Sequence, residues 1–188
     1  MKDFHRTNLY FSLCGLNCAL CAMHLGGHCP GCGGGEGNQS CAIAKCSLQH
    51  GKVDYCFQCS EFPCPRYEGI EAYDSFITHQ RQLKDIERAQ AIGIEAYSKE
   101  QARKADLLHL LLSDYNDGRR KTFYCLAVNL LPLQDIENVM KQLTAAPSLP
   151  HLPIKEKAEK VVFLFGRLAL QQGLVLKLRK KESKSNPT

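Results

Sequence analysis

Ten of the 11 cysteines in this 188-residue chain lie between Cys14 and Cys64, and only Cys125 stands outside that stretch. Sulfur at this density is organised either by disulfides or by metal. The opening MKDFHRTNLYFSLCG has no basic region followed by a long apolar run and a small-residue cleavage site, so a cytoplasmic protein is expected. Thiols stay reduced in that compartment, and an odd number cannot all pair within one chain, so metal is the expected organiser. The same stretch carries nine of the 14 glycines. So small and glycine-rich a piece buries too little apolar surface to offset its backbone entropy, and ligated ions would have to hold it together.

The spacing supports this reading. The pattern is C14-x3-C18-x2-C21, C29-x2-C32, C41-x4-C46 and C56-x2-C59-x4-C64. Two residues between cysteines let a tight turn aim both sulfurs at one ion, with backbone N–H groups directed at the thiolates. Cys29-Pro30-Gly31-Cys32-Gly33, Cys56-Phe57-Gln58-Cys59 and Cys18-Ala19-Leu20-Cys21 are such knuckles. Structural zinc takes four ligands, so about two Zn²⁺ per chain are expected. The preferred sets interleave, with Cys18, Cys21, Cys41 and Cys46 on one ion and Cys29, Cys32, Cys56 and Cys59 on the other. Cys14 and Cys64 are left to substitute in these sets, to bridge, or to join His24, His28 or His50 in a third site. An iron–sulfur redox protein is the alternative, since four-cysteine sites accept either metal. Cys14, Cys18 and Cys21 also have the spacing of radical S-adenosylmethionine enzymes, but no alternation of strands and helices follows them.

At these residues the chain resembles the prokaryotic cysteine-rich family catalogued as domain of unknown function 3795. The likeness is carried by Cys14-Gly15-Leu16-Asn17-Cys18-Ala19-Leu20-Cys21, Cys29-Pro30-Gly31-Cys32, Cys41-Ala42-Ile43-Ala44-Lys45-Cys46 and Val53-Asp54-Tyr55-Cys56-Phe57-Gln58-Cys59-Ser60-Glu61-Phe62-Pro63-Cys64. Ile92-Gly93-Ile94-Glu95-Ala96 and Glu100-Gln101 resemble the segment that follows in longer members. The resemblance implies a metal-binding cysteine module without a defined biochemical role, and it supplies no catalytic residues.

Composition changes near residues 67–69, dividing the chain into an irregular, zinc-knuckle type module over residues 1–68, an all-α domain over residues 69–178 and a basic tail over residues 179–188. One short strand is expected at residues 9–13, where Tyr10, Phe11 and Leu13 supply β-favouring bulk. Helices are expected over residues 70–80, 83–92, 121–131, 133–143 and 154–178, with a further one opened by a Ser98-Lys99-Glu100-Gln101 capping box and running through Leu112. Asn116-Asp117-Gly118 reads as a helix stop, and Pro147, Pro150 and Pro153 as a rigid link before the last helix. Cys125, among Phe123, Leu126 and Ala127, reads as a small buried hydrophobe. The last helix has more apolar residues than one stripe needs. The reading buries Phe163, Leu164, Leu170, Leu174 and Val175 within a monomer, with homodimerisation as the alternative.

The formal charge of +5 becomes negative once ten thiolates hold two zinc ions, which argues against a nucleic-acid surface. Lys177, Arg179, Lys180, Lys181 and Lys184 read as a solvated tail. No apolar run approaches the length of a membrane span. There is no phosphate loop, dinucleotide fingerprint or Ser-His-Asp order, and closed four-thiolate sites leave no open coordination position. A binding or adaptor protein, with a protein partner, fits better than an enzyme.

Overall fold

A computed structural model describes residues 3–35 and 41–181. Seven α-helices are present among them: α1 (Ala22–Leu25), α2 (Ala42–Gln49), α3 (Gln82–Ile92), α4 (Ile94–Asp114), α5 (Lys121–Leu130), α6 (Leu133–Thr144) and α7 (Ile154–Gln171). No strand occurs among the described residues, which corrects the strand expected at residues 9–13. The Asn8 side-chain oxygen accepts from the amides of Tyr10 and Phe11 at 3.0 and 3.1 Å. That local bond bends the chain where a strand would have to extend.

The long helices follow their apolar periodicity. Tyr124, Leu126, Ala127, Val128 and Leu130 of α5 are all buried, so this helix forms the centre of the core. Around it pack Leu108 and Leu111 of α4, Ile136 and Met140 of α6, and Val161 and Phe165 of α7. Pro132 and Pro153 precede the first turns of α6 and α7, where a missing N–H costs little. After Asp114 the Asn116 side chain accepts from Gly118 and Arg120, turning the chain into α5.

Three expected elements differ. Helix α4 begins at Ile94, directly after Gly93 at φ +84°, so Ser98 lies inside it and caps nothing. Glycine's freedom at positive φ supplies the break that the capping box was expected to mark. Residues 70–80 form turns because the buried Asp74 carboxylate gathers local and distant donors: the His79 amide at 2.7 Å, the Thr78 hydroxyl at 3.3 Å and the Arg179 amide at 2.7 Å. Finally, α7 stops at Gln171. Gly173 takes φ +67° and the Leu174 amide donates to the Ala169 carbonyl at 2.8 Å, a Schellman-type ending that directs Leu174 and Leu176 back to the core.

Two groups of contacts cross the composition change near residue 68. Leu20, with no exposed surface, is embedded with Leu108, Tyr124 and Val128, and its carbonyl accepts from Asn129 at 3.2 Å. Phe11 stacks on Tyr55 and meets Tyr97 of α4 with ring centroids 4.7 Å apart, over Ile86 and Ala89 of α3. Phe11 and Leu20 of the cysteine-rich segment are therefore spent on helix packing, each large apolar side chain contributing roughly 1.5–3 kcal/mol. The start of the basic tail is fastened too: Arg179 makes backbone and guanidinium bonds to Asp74, and the Lys181 ammonium lies 5.3 Å from the centre of the Tyr73 ring. Residues 182–188, with Lys184, lie outside the described residues.

The girth of α7 is only partly buried. Leu164 and Leu174 pack against the core, whereas Phe163, Leu170 and Val175 are well exposed, with the Arg167 guanidinium lying against the Phe163 ring. No helix is long and apolar enough to cross a membrane among the described residues.

Candidate metal centre

The segment that bears the cysteines is built from short turns. Cys18–Leu20 and Cys56–Gln58 each form one 3-10 turn, closed by the amides of Cys21 and Cys59 donating back to the carbonyls of Cys18 and Cys56. These are the tight knuckles expected from two-residue spacing. Gln58 caps the second turn by accepting from the Asp54 and Tyr55 amides. Arg6, itself buried, holds the surrounding loops: its guanidinium donates to the carbonyls of Asp54, Asn8 and Phe11 and lies 4.8 Å from the centre of the Tyr55 ring.

No disulfide joins cysteines among the described residues. Cys46, Cys56, Cys59 and Cys64 line one cavity of about 30 Å³, together with Ile43, Phe62 and Tyr67. A space of that size admits a body about as large as a single water. His50 borders it, with Nδ1 at 3.4 Å from the Cys46 sulfur and Nε2 at 3.7 Å from Glu61. A second neighbourhood joins Cys18 to Cys21, Cys29 and Cys32, and the Cys32 amide donates to the Cys18 sulfur. Cys14 stands between the two, within electrostatic reach of Cys32, Cys41 and Cys56.

This grouping differs from the interleaved sets expected from spacing, which joined Cys18 and Cys21 to Cys41 and Cys46, and Cys29 and Cys32 to Cys56 and Cys59. Sulfurs also meet across distant stretches of chain, since Cys41 lies within electrostatic reach of both Cys32 and Cys14. The link between them runs through Leu13, whose amide donates to the Cys32 sulfur and whose carbonyl accepts from the Cys56 amide at 2.9 Å. Among the described residues, no group of three or more Cys, His, Asp or Glu side chains is drawn together closely enough to hold an ion.

Electrostatics in this region oppose bare thiolates. Burial pushes the Cys56 thiol up to about 11 and Cys18 up to about 12, and it pushes Cys14 higher still. Neighbouring sulfurs add to each shift, while hydrogen bonds from Tyr67 to Cys56 and between Ser12 and Cys14, at 3.3 Å, act against it. A divalent cation reverses that balance, because ligation deprotonates a thiol outright. Three supporting groups escaped the sequence reading: Tyr67, Ser12 and Arg6. Ser12, two residues before Cys14, was visible as a local donor, but Tyr67 and Arg6 reach their sulfurs only through the fold.

The histidines divide. The His24 ring bonds the Cys29 carbonyl through Nδ1 at 2.9 Å, His28 is exposed, and His50 alone borders the four-cysteine cavity. Cys125 is buried in the helical core, with burial pushing its thiol up to about 12. No protein family, no curated protein and no solved structure matches this chain.

Proposed function

We propose that this chain is a zinc-binding protein whose thiolate centres lock the cysteine-rich segment against the helical core, and that the assembly serves as a binding or adaptor module. The observation that carries the reading is the shared cavity of Cys46, Cys56, Cys59 and Cys64. Four cysteines line this small space, the number of ligands structural zinc takes, and the proposal is that metal draws their sulfurs together there. The crowding of buried thiols around Cys14 and Cys18 supports ligation there as well, since a cation relieves the cost of several neighbouring sulfurs at once. The cysteine spacing and the family resemblance favour the same conclusion. A closed four-thiolate site has no vacant position for substrate, hence a structural rather than catalytic metal.

Metal analysis and an absorption spectrum of anaerobically purified protein test this reading. Colourless protein with about two zinc ions per chain is expected from the number of thiols. Cys56→Ser should lower the zinc content, and Cys125→Ser should leave it unchanged. Brown protein containing iron and acid-labile sulfide would replace the proposal with the iron–sulfur one, and metal-free folded protein would remove both.

A further inference from the structure

A groove of about 700 Å³ runs between the cysteine-rich segment and α4. Its α4 wall is one helical stripe: Ser98, Gln101, Ala102, Ala105, Asp106 and His109. These positions recur every three or four residues and extend along about 16 Å of helix. The two alanines keep the wall low, which makes a groove where larger residues would fill the gap. The opposite wall carries Tyr10, Phe11 and His24. The Tyr10 and His24 rings meet edge to face with centroids 5.8 Å apart, and Tyr10 is 64% exposed. The volume falls in the range of small-molecule sites, and junctions between packed units are where such sites concentrate.

The polar lining is Asn8, His24, Ser98, Gln101, Asp106 and His109, with Asp106 its one carboxylate. Gln101 is buried and its side-chain oxygen, closed off from solvent, has no hydrogen-bond partner, so that oxygen is not presented to the groove. His24 bonds a carbonyl through Nδ1; a carbonyl only accepts, so in the neutral ring Nε2 is left as an acceptor. Asp106 adds a carboxylate, and no Lys or Arg lines the groove. Two neighbouring cations of α4 are engaged elsewhere, Arg103 with Glu137 at 2.9 Å and Lys104 with the Leu131 carbonyl at 2.8 Å. A site with aromatic walls, several acceptors and a single negative charge is complementary to a flat cation rich in N–H donors.

We propose that this groove binds a small organic cation with a flat apolar body, its N–H groups directed to Asp106 and His24 and its body against Tyr10. Calorimetric titration of the full chain with benzamidine, and with benzoate as a probe of the same shape and opposite charge, tests the assignment. Benzamidine should saturate one site per chain and benzoate should not. Asp106→Asn should weaken benzamidine by about tenfold, the effect of losing one charge-assisted hydrogen bond. Equal binding of benzoate, absence of saturable benzamidine binding, or unchanged affinity in folded Asp106→Asn would overturn the proposal. So would an arginine-bearing peptide that binds where benzamidine does not, which would assign the groove to a protein partner.

Discussion

Gly15 sits at the crossing of the first cysteine loop with α3. Its φ is +100°, and a methyl group there would come within 2.4 Å of the Gln82 carbonyl and 2.9 Å of the Ile86 side chain. Backbone conformation and space both demand glycine. Gly15→Ala should therefore cost about 2 kcal/mol or more, read as a lowered midpoint in chemical unfolding. Asp85 offers a different residue-scale test. It accepts from Asn17 at 3.0 Å and from Arg81 at 3.4 Å, yet burial raises its pKa from 3.8 to about 6. The folded protein holds this proton more tightly than the unfolded chain, so the associated stabilisation is greatest below pH 4 and is lost as pH rises through about 6. Unfolding free energies of wild type and Asp85→Asn, measured from pH 4 to 7, should shift in favour of the variant by on the order of 2–3 kcal/mol across that window. A pH-independent difference would remove Asp85 as the titrating group.

The elements divide according to what fixes them. Helices α5 and α6 start and end within a residue of their expected bounds, because apolar spacing and the flanking prolines are local signals. Residues 70–80 were misread as a helix because the donor that reorganises them, Arg179, lies far along the chain. Likewise, Ser98 and Gln101 carry the signature of a helix cap but occupy the wall of a groove. The knuckle turns were legible in the cysteine spacing, whereas the grouping of the knuckles was not, since spacing fixes a turn and says little about which turns meet. Two tests belong to this scale. Asp74→Ala should release residues 177–181 and lower the thermal midpoint by a few degrees; with Arg179 40% exposed, losing this pair costs about 1 kcal/mol. On α7, Leu170 is 79% exposed. On the monomer reading, Leu170→Lys should leave the mass by light scattering unchanged and alter stability by less than about 0.5 kcal/mol. A dimer that dissociates in this variant would assign the exposed face of α7 to a second copy.

At the scale of the molecule, the two ends of the chain are anchored unequally. The helical core closes on itself through α4 to α7, while the cysteine-rich segment is inserted by a few side chains, chiefly Phe11, Leu20 and Asn17, with Asn17 linking the hydroxyl of Tyr97 to the carboxylate of Asp85. If zinc holds that segment, chelation under reducing conditions should make residues before Gly69 the first to be cut in limited proteolysis. Much of the helical signal in circular dichroism should survive. Proteolytic resistance there that is indifferent to chelator would separate the segment's stability from metal.

The burial of Leu20 among α4 and α5 also sets an order of events during synthesis. Leu20 leaves the ribosome well before Leu108, Tyr124 and Val128, the residues that enclose it. At ordinary elongation rates that interval lasts about 5–20 s. From the emergence of Cys64 to that of Leu108, 44 residues later and about 2–9 s at those rates, all ten clustered thiols are out while their helical support is still being made. If zinc is its ligand, as proposed, the nascent segment is open to that ion before the surface on which it finally rests exists.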